Sequence, residues 1–142
     1  KIAMKSKKLV GESLEKIAVM LVDESPLGAE YYASKQGAIQ NDVGDFKNSW
    51  TVGLGTPDLS TRAADAAGTA AVADAIVKGK RYNLEETNYV TNNKDHAEMV
   101  EDGWADNPEY GWKAKQGYHV VGNNIGAAKA ICEIVAQKIS KI

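Results

Sequence analysis

The sequence predicts an α+β domain in which an antiparallel β-sheet is flanked by an N-terminal and a C-terminal helix, with an additional Ala-rich helix. Apolar residues recur every three or four positions near both ends, which is typical of amphipathic helices. Two central segments alternate as strands do. The small-residue run from Ala63 to Ala75 has a helical composition. A length of 142 residues fits one core, so we assign residues 1–142 to a single domain.

The composition excludes several classes of protein. It is 44% hydrophobic and 25% charged, close to the globular average. A net charge of -2 predicts no broad basic surface for binding nucleic acid. We interpret the basic start K-I-A-M-K-S-K-K as a solvated run. The single Cys132 is predicted to be a small core residue. Because no apolar stretch approaches the roughly 20 residues of a membrane span, and no signal segment is visible, we expect a chain made in the cytoplasm.

The first predicted element is a helix from Lys8 to Val22 that ends before Pro26. Its apolar stripe consists of Leu9, Val10, Leu14, Ile17, Ala18, Leu21 and Val22. Residues 26–45 show no clear period and are predicted to be extended or loop. A strand follows from Phe46 to Leu54, with alternate residues on one buried face.

The alanine-rich helix is predicted to follow a turn at residues 55–58. Ser60 or Thr61 can cap it, and it is predicted to run to about Lys78 and to stop at Gly79. Its small side chains allow close packing but bury little area per turn.

A second strand is predicted from Tyr82 to Thr91, with polar groups on both faces. Such a strand is more typical of a sheet edge or a subunit contact than of a core. Tyr82, Leu84 and Tyr89 are therefore candidate interface residues.

A short helix within Asp95–Trp104 is predicted next, with Ala97 and Val100 facing inward and Gly103 as its stop. The segment from Trp104 to Gln116 is predicted to be a long aromatic loop, and Trp104, Tyr110 and Trp112 are candidate interface residues. A final helix is predicted from Asn124 to Ile142, with its apolar residues Ile125, Ala128, Ile131, Cys132, Val135 and Ile139 at helical spacing.

The motifs of catalysis are incomplete. His96 and Glu98 match the first half of a zinc-deaminase signature, but one cysteine cannot supply the second half. Neither H-E-x-x-H nor G-x-S-x-G occurs. We therefore predict no enzyme, no cofactor and no metal site. Two alternatives stay open: a small metal-dependent hydrolase centred on His96, Glu98, Glu101 and His119, and a monomeric binding module that uses Trp104, Tyr110 and Trp112.

Three short sequence blocks, found in a fixed order, together indicate a protein family more specifically than any one block alone. They are D-V-G-D-F-K-N-S-W (42–50), H-A-E-M-V-E-D-G (96–103) and Q-G-Y-H-V-V (116–121). This order resembles the tail-completion, or neck, proteins of tailed bacteriophages. The matching residues are Asp42, Gly44, Lys47, Ser49, Trp50, Ala97, Glu101, Gly103, Gly117 and His119. His96 departs from the tyrosine usual in the family, and the alanine-rich helix resembles an insertion.

The resemblance implies a structural virion protein that joins the head connector to the tail. It implies a homo-oligomeric ring, hexameric or dodecameric, with portal or adaptor proteins on one side and the tail terminator or tail tube on the other. DNA would pass through the ring only as cargo. Glu101 is expected to have a structural role, either capping backbone amides or pairing with a basic residue such as Lys47.

Overall fold

The computed structural model describes residues 2–27, 43–81, 86–106, 108–109 and 114–141. These residues form four α-helices and two small antiparallel sheets, which confirms the predicted α+β class. In chain order the elements are α1 (Ile2–Glu24), β1 (Trp50–Leu54), α2 (Thr69–Arg81), β2 (Asn88–Asn92), α3 (Ala97–Asp102), β3 (Gly103–Trp104), β4 (Lys115–Gln116) and α4 (Val120–Ser140). In these ranges we find no helix that is both long enough and apolar enough to cross a membrane.

Helix α1 packs against both α2 and α4. Its buried face carries Leu14, Ala18, Leu21 and Val22, as the apolar spacing predicted. The helix is longer than predicted, because the basic residues before Lys8 form its first turns. The prediction that Gly79 ends the alanine-rich helix is wrong. Gly79 lies within α2, and a Cβ there would stand 2.8 Å from the Gly11 carbonyl oxygen of α1, so this glycine permits the close crossing.

Strand β1 pairs with β2 in antiparallel register, from Trp50 opposite Asn92 to Leu54 opposite Asn88. It begins later than the predicted start at Phe46, because residues 47–49 form a 3-10 turn. The Asn48 side chain fixes that turn: its amide donates to the Ala63 carbonyl at 2.9 Å, and its oxygen accepts from the Ala71 amide at 3.1 Å. The sequence pattern does not reveal these long-range bonds.

The other edge of β1 is closed by side chains instead of a third strand. The Val52 N–H donates to the Asp74 carboxylate at 2.9 Å, and the Lys78 ammonium donates to the Val52 carbonyl at 2.8 Å. The Arg62 guanidinium donates to the Trp50 carbonyl at 2.6 Å. Asp74 also pairs with Arg62 at 3.4 Å and with Lys78 at 3.7 Å. Three backbone groups of this edge are thereby satisfied by side chains, which disfavours its pairing with another chain.

Helix α2 begins at Thr69, later than the predicted caps Ser60 and Thr61. The capping side chain is Asp65, which accepts the backbone amides of Ala67 at 3.0 Å and Thr69 at 2.9 Å. These amides hold the pKa of the Asp65 carboxyl below its ordinary value. Residues 61–65 stay out of the helix, since Arg62 is bound to β1.

Helix α4 begins at Val120, earlier than predicted, and buries Val120, Val135 and Ile139. Not all of the apolar residues at helical spacing are buried: Ile125 is 64% exposed. Cys132 is half-buried rather than the small core residue that was predicted. The physical reason is that α4 packs mainly on α1, so only a narrow stripe of its surface is covered.

Candidate functional site

The second and third sequence blocks meet at one corner, between α3 and α4. Strands β3 and β4 pair there, with Gly103 opposite Gln116 and Trp104 opposite Lys115, so the ends of the predicted aromatic loop form a short ladder. A Cβ on Gly103 would lie 2.5 Å from the Gly117 nitrogen, and a Cβ on Gly117 would overlap the Glu101 carbonyl oxygen. The two glycines therefore let the two backbones cross in direct contact.

Glu101 joins this corner to the start of α4. Its carboxylate accepts the Val121 amide at 3.1 Å and the Gly122 amide at 2.9 Å, and its carbonyl accepts the His119 amide at 3.1 Å. A carboxylate at a helix N-terminus satisfies free amides and meets the positive end of the helix dipole. The expectation that Glu101 caps backbone amides is confirmed.

His119 occupies the N-cap position of α4 in the left-handed region, with φ 49°. Its side chain makes no capping hydrogen bond, so Glu101, distant in sequence, does what an N-cap side chain ordinarily does. Because this position holds none of Ser, Thr, Asp or Asn, the sequence contains no local mark of where α4 begins.

The first block fixes the turn before β1. The Gly44 carbonyl accepts the Asn48 amide at 2.9 Å, and Lys47 lies beside Gly68. Ser49 is fully buried, and its hydroxyl accepts the Arg62 amide at 3.4 Å. Asp42 lies outside the described residues.

Trp50 anchors this block to the end of α1. Its indole N–H donates to the Ser25 hydroxyl at 2.7 Å, and that hydroxyl donates to the Leu21 carbonyl at 2.6 Å. Phe46 packs edge-on against Trp50 with ring centroids 5.6 Å apart.

One hydrophobic cluster connects all three blocks. Its buried members are Leu21, Val22, Phe46, Trp50, Ala71, Val100 and Val120, and Ala97 packs against them. The matching residues in the described ranges thus surround one end of the core. They hold the backbone and this part of the core in place.

The candidate interface residues are only partly described. Tyr82, Leu84, Tyr110 and Trp112 lie outside the described ranges. Tyr89 is half-buried on β2, and its position next to the core residue Val90 directs its side chain to the opposite face of the sheet. Trp104 is half-buried on β3.

The alternative metal site requires His96, Glu98, Glu101 and His119 to converge. Glu101 is engaged by two amides, His96 lies beside Phe46 with ring centroids 6.3 Å apart, and Glu98 is exposed. Across the part of the chain that is described, no group of three or more His, Cys, Asp or Glu side chains could hold a metal ion. These four side chains therefore do not assemble that site.

Comparison of the chain with protein-family models, with curated proteins and with solved structures found no match.

Replacing Glu101 with glutamine is expected to lower the free energy of unfolding by about 1–2 kcal/mol, because the amide group keeps one acceptor oxygen but loses the charge and the second acceptor. Urea unfolding measures the effect. The matched control is Glu133→Gln, exposed on α4, which should change stability by less than about 0.5 kcal/mol. Equal stabilities of the two variants would show that the Glu101 carboxylate does not support α4.

Proposed function

We propose that this chain is a structural subunit of the neck of a tailed bacteriophage, where copies of it form a ring that joins the head connector to the tail. The observation that carries the proposal is the corner at which Glu101, Gly103 and Gly117 interlock. These residues belong to the blocks that resemble the neck family, and in this chain they fix the course of the backbone. Such a role suits a building block better than a catalyst.

The surface of α4 adds support. Val121, Ile125 and Ile134 are 42%, 64% and 64% exposed. Exposed apolar side chains on one helix provide area that association with another protein can bury. A closed ring places each subunit between two neighbours, so part of this surface would be covered in the particle.

The proposed partners follow from the resemblance. They are further copies of the chain, in six or twelve subunits, a portal or adaptor protein on the head side, and a tail terminator or tail tube protein on the tail side. DNA passes through the ring without being its ligand. The proposed location is the virion neck, after synthesis in the host cytoplasm, and no catalytic or cofactor role is proposed.

The test is the mass of the purified chain in solution over a concentration series, alone and with the connector complex of its phage. We expect either a ring by itself or a monomer that becomes a ring on the connector. Metal content is measured on the same samples. A chain that stays monomeric when the connector complex is present would overturn the proposal, and bound metal in that monomer would favour the hydrolase alternative.

A further inference from the structure

The fold gathers basic residues from three helices at one end of the molecule. The first turns of α1 lie beside the last turns of α2, where Gly79 meets Gly11. The last turns of α4 reach the same place, since the Lys138 ammonium donates to the Glu12 carboxylate at 2.8 Å. The basic end, as we name it, comprises Lys5, Lys7, Lys8, Lys16, Lys80, Arg81, Lys138 and Lys141.

Few acidic groups offset this charge. Glu12 and Glu15 lie among the basic residues, and the hydrogen bond from Lys138 holds the pKa of the Glu12 carboxyl below its ordinary value, with Lys16 and Lys8 adding to the effect. An open groove of about 500 Å³ between α1 and α2 runs through the basic end. Met4 lines that groove and is 72% exposed, so the surface offers apolar contact beside the charges.

The opposite end of the molecule is acidic. Helix α1 ends there, and its last turns share a hydrophobic cluster with Val100 of α3. The acidic end comprises the exposed residues Asp23, Glu24, Asp95, Glu98 and Asp102. Two of the lysines nearby are engaged locally: Lys94 pairs with Asp45 at 2.6 Å, and Lys115 lies over the Tyr118 ring at 5.1 Å.

The two ends are too far apart to neutralise each other. Helix α1 spans the distance between them, and the 16 positions from Lys7 to Asp23 correspond to about 24 Å along it. Charges are screened over about 8–10 Å at physiological salt. Each end therefore attracts an oppositely charged surface independently.

A second copy of this chain fits the basic end better than DNA does. A duplex is negative throughout, whereas Glu12 and Glu15 interrupt the basic groove, and the whole chain carries a net charge of -2. A second copy presents an acidic end of complementary sign. A contact between two different surfaces of identical subunits is heterologous, and it closes into a ring when the rotation permits.

We propose that the basic end of one subunit binds the acidic end of the next copy, and that this is the head-to-tail contact of the ring. The proposal rests on the proposed neck function and names the surfaces that meet in it. Complementary charges of this kind orient subunits and speed their encounter, so ring formation should weaken as salt is raised.

Two charge-reversal variants test the contact. Lys7→Glu/Lys8→Glu reverses two charges of the basic end, and Asp23→Lys/Glu24→Lys reverses two charges of the acidic end. All four residues are exposed, and each new charge suits its end of α1, because acids are favoured near a helix N-terminus and bases near a C-terminus. The control Glu86→Lys reverses one exposed charge that belongs to neither end and lies outside α4. Circular dichroism checks the fold of each variant.

We expect each reversal variant alone to self-associate more weakly than the unaltered chain by about tenfold or more, in the presence of the connector if it is needed, and the control to associate normally. An equimolar mixture of the two variants should recover association, because acidic ends of one then meet basic ends of the other. Recovery is the decisive readout, since damage to folding cannot produce it.

Other outcomes separate this inference from the neck function. If the unaltered chain forms rings and the reversals do not weaken them, or the mixture does not recover, the contact is wrong while the neck function stands. If the unaltered chain stays monomeric even with the connector, both fail. If Lys7→Glu/Lys8→Glu abolishes binding to a random-sequence DNA duplex but leaves assembly intact, the basic end is a DNA surface and the subunit contact is overturned.

Discussion

Replacing Gly103 with alanine is expected to lower the free energy of unfolding by about 3 kcal/mol or more. We predict no larger effect for the addition of a single methyl group. Gly103 has φ 88° and ψ -173°, a conformation that is essentially restricted to glycine. The added Cβ would also overlap the Lys115 carbonyl oxygen and lie 2.5 Å from the Gly117 nitrogen. Both neighbours are backbone atoms of the paired strand β4 and its continuation, so they cannot rotate away.

Urea unfolding followed by circular dichroism measures this change. The matched control is Gly126→Ala on α4, where an added Cβ meets nothing within 4 Å. That substitution should stabilise the protein by roughly 0.5–1 kcal/mol, because alanine is the better helix former. A loss below about 1 kcal/mol for Gly103→Ala would mean that the corner can open at little cost.

Replacing Asp74 with alanine is expected to cost about 2–4 kcal/mol, because it removes the acceptor shared by three groups. The Val52 N–H would lose its partner, and Arg62 would lose its ion pair with Asp74. Lys78 would lose its ion pair with Asp74 but keep the one with Asp58 at 3.9 Å. The side chains of Asp74, Arg62 and Lys78 are 16%, 20% and 26% exposed, so solvent replaces these interactions only in part.

Comparison with Asp74→Asn separates the contribution of the negative charge from that of the hydrogen bond to the Val52 N–H. Asparagine keeps an oxygen for the Val52 N–H but removes the negative charge, so an intermediate loss is expected. Lys80→Ala, exposed on the same helix, is the control and should remain within about 0.5 kcal/mol of the unaltered chain. If Asp74→Ala and Lys80→Ala have equal free energies of unfolding in urea, the closed edge of β1 has no stabilising role.

Local pattern was sufficient for the buried face of α1 and for the end of α3. The spacing of Leu14, Ala18 and Leu21 predicted the buried face of α1, and Gly103 marked the end of α3. The same reasoning failed for the start of α2 and for Phe46, because Arg62 and Asn48 fix the backbone there through bonds to distant segments, and Asp65 instead of Ser60 or Thr61 caps the helix. Periodicity carries no information about such bonds.

The candidate site, like the fold, could be predicted from the local sequence pattern only in part. The sequence predicted a structural role for Glu101, either capping backbone amides or pairing with a basic residue, and its carboxylate accepts two backbone amides. It could not identify α4 as their source, since His119 gives no local capping signal. The charged ends were also invisible, because Lys7, Lys80 and Lys138 are far apart in the chain and only the antiparallel packing of α1 against α2 and α4 brings them together.

The position of α1 also determines when the chain can fold. Both helices that cover α1 come later in the sequence, and the Glu12–Lys138 bond joins residues separated by 126 positions. Such distant contacts slow folding. During synthesis at roughly 5–20 residues per second, several seconds pass between the synthesis of α1 and that of α4, the last helix that packs on its apolar face. A nascent chain without α4 therefore has neither a fully covered α1 nor a complete basic end.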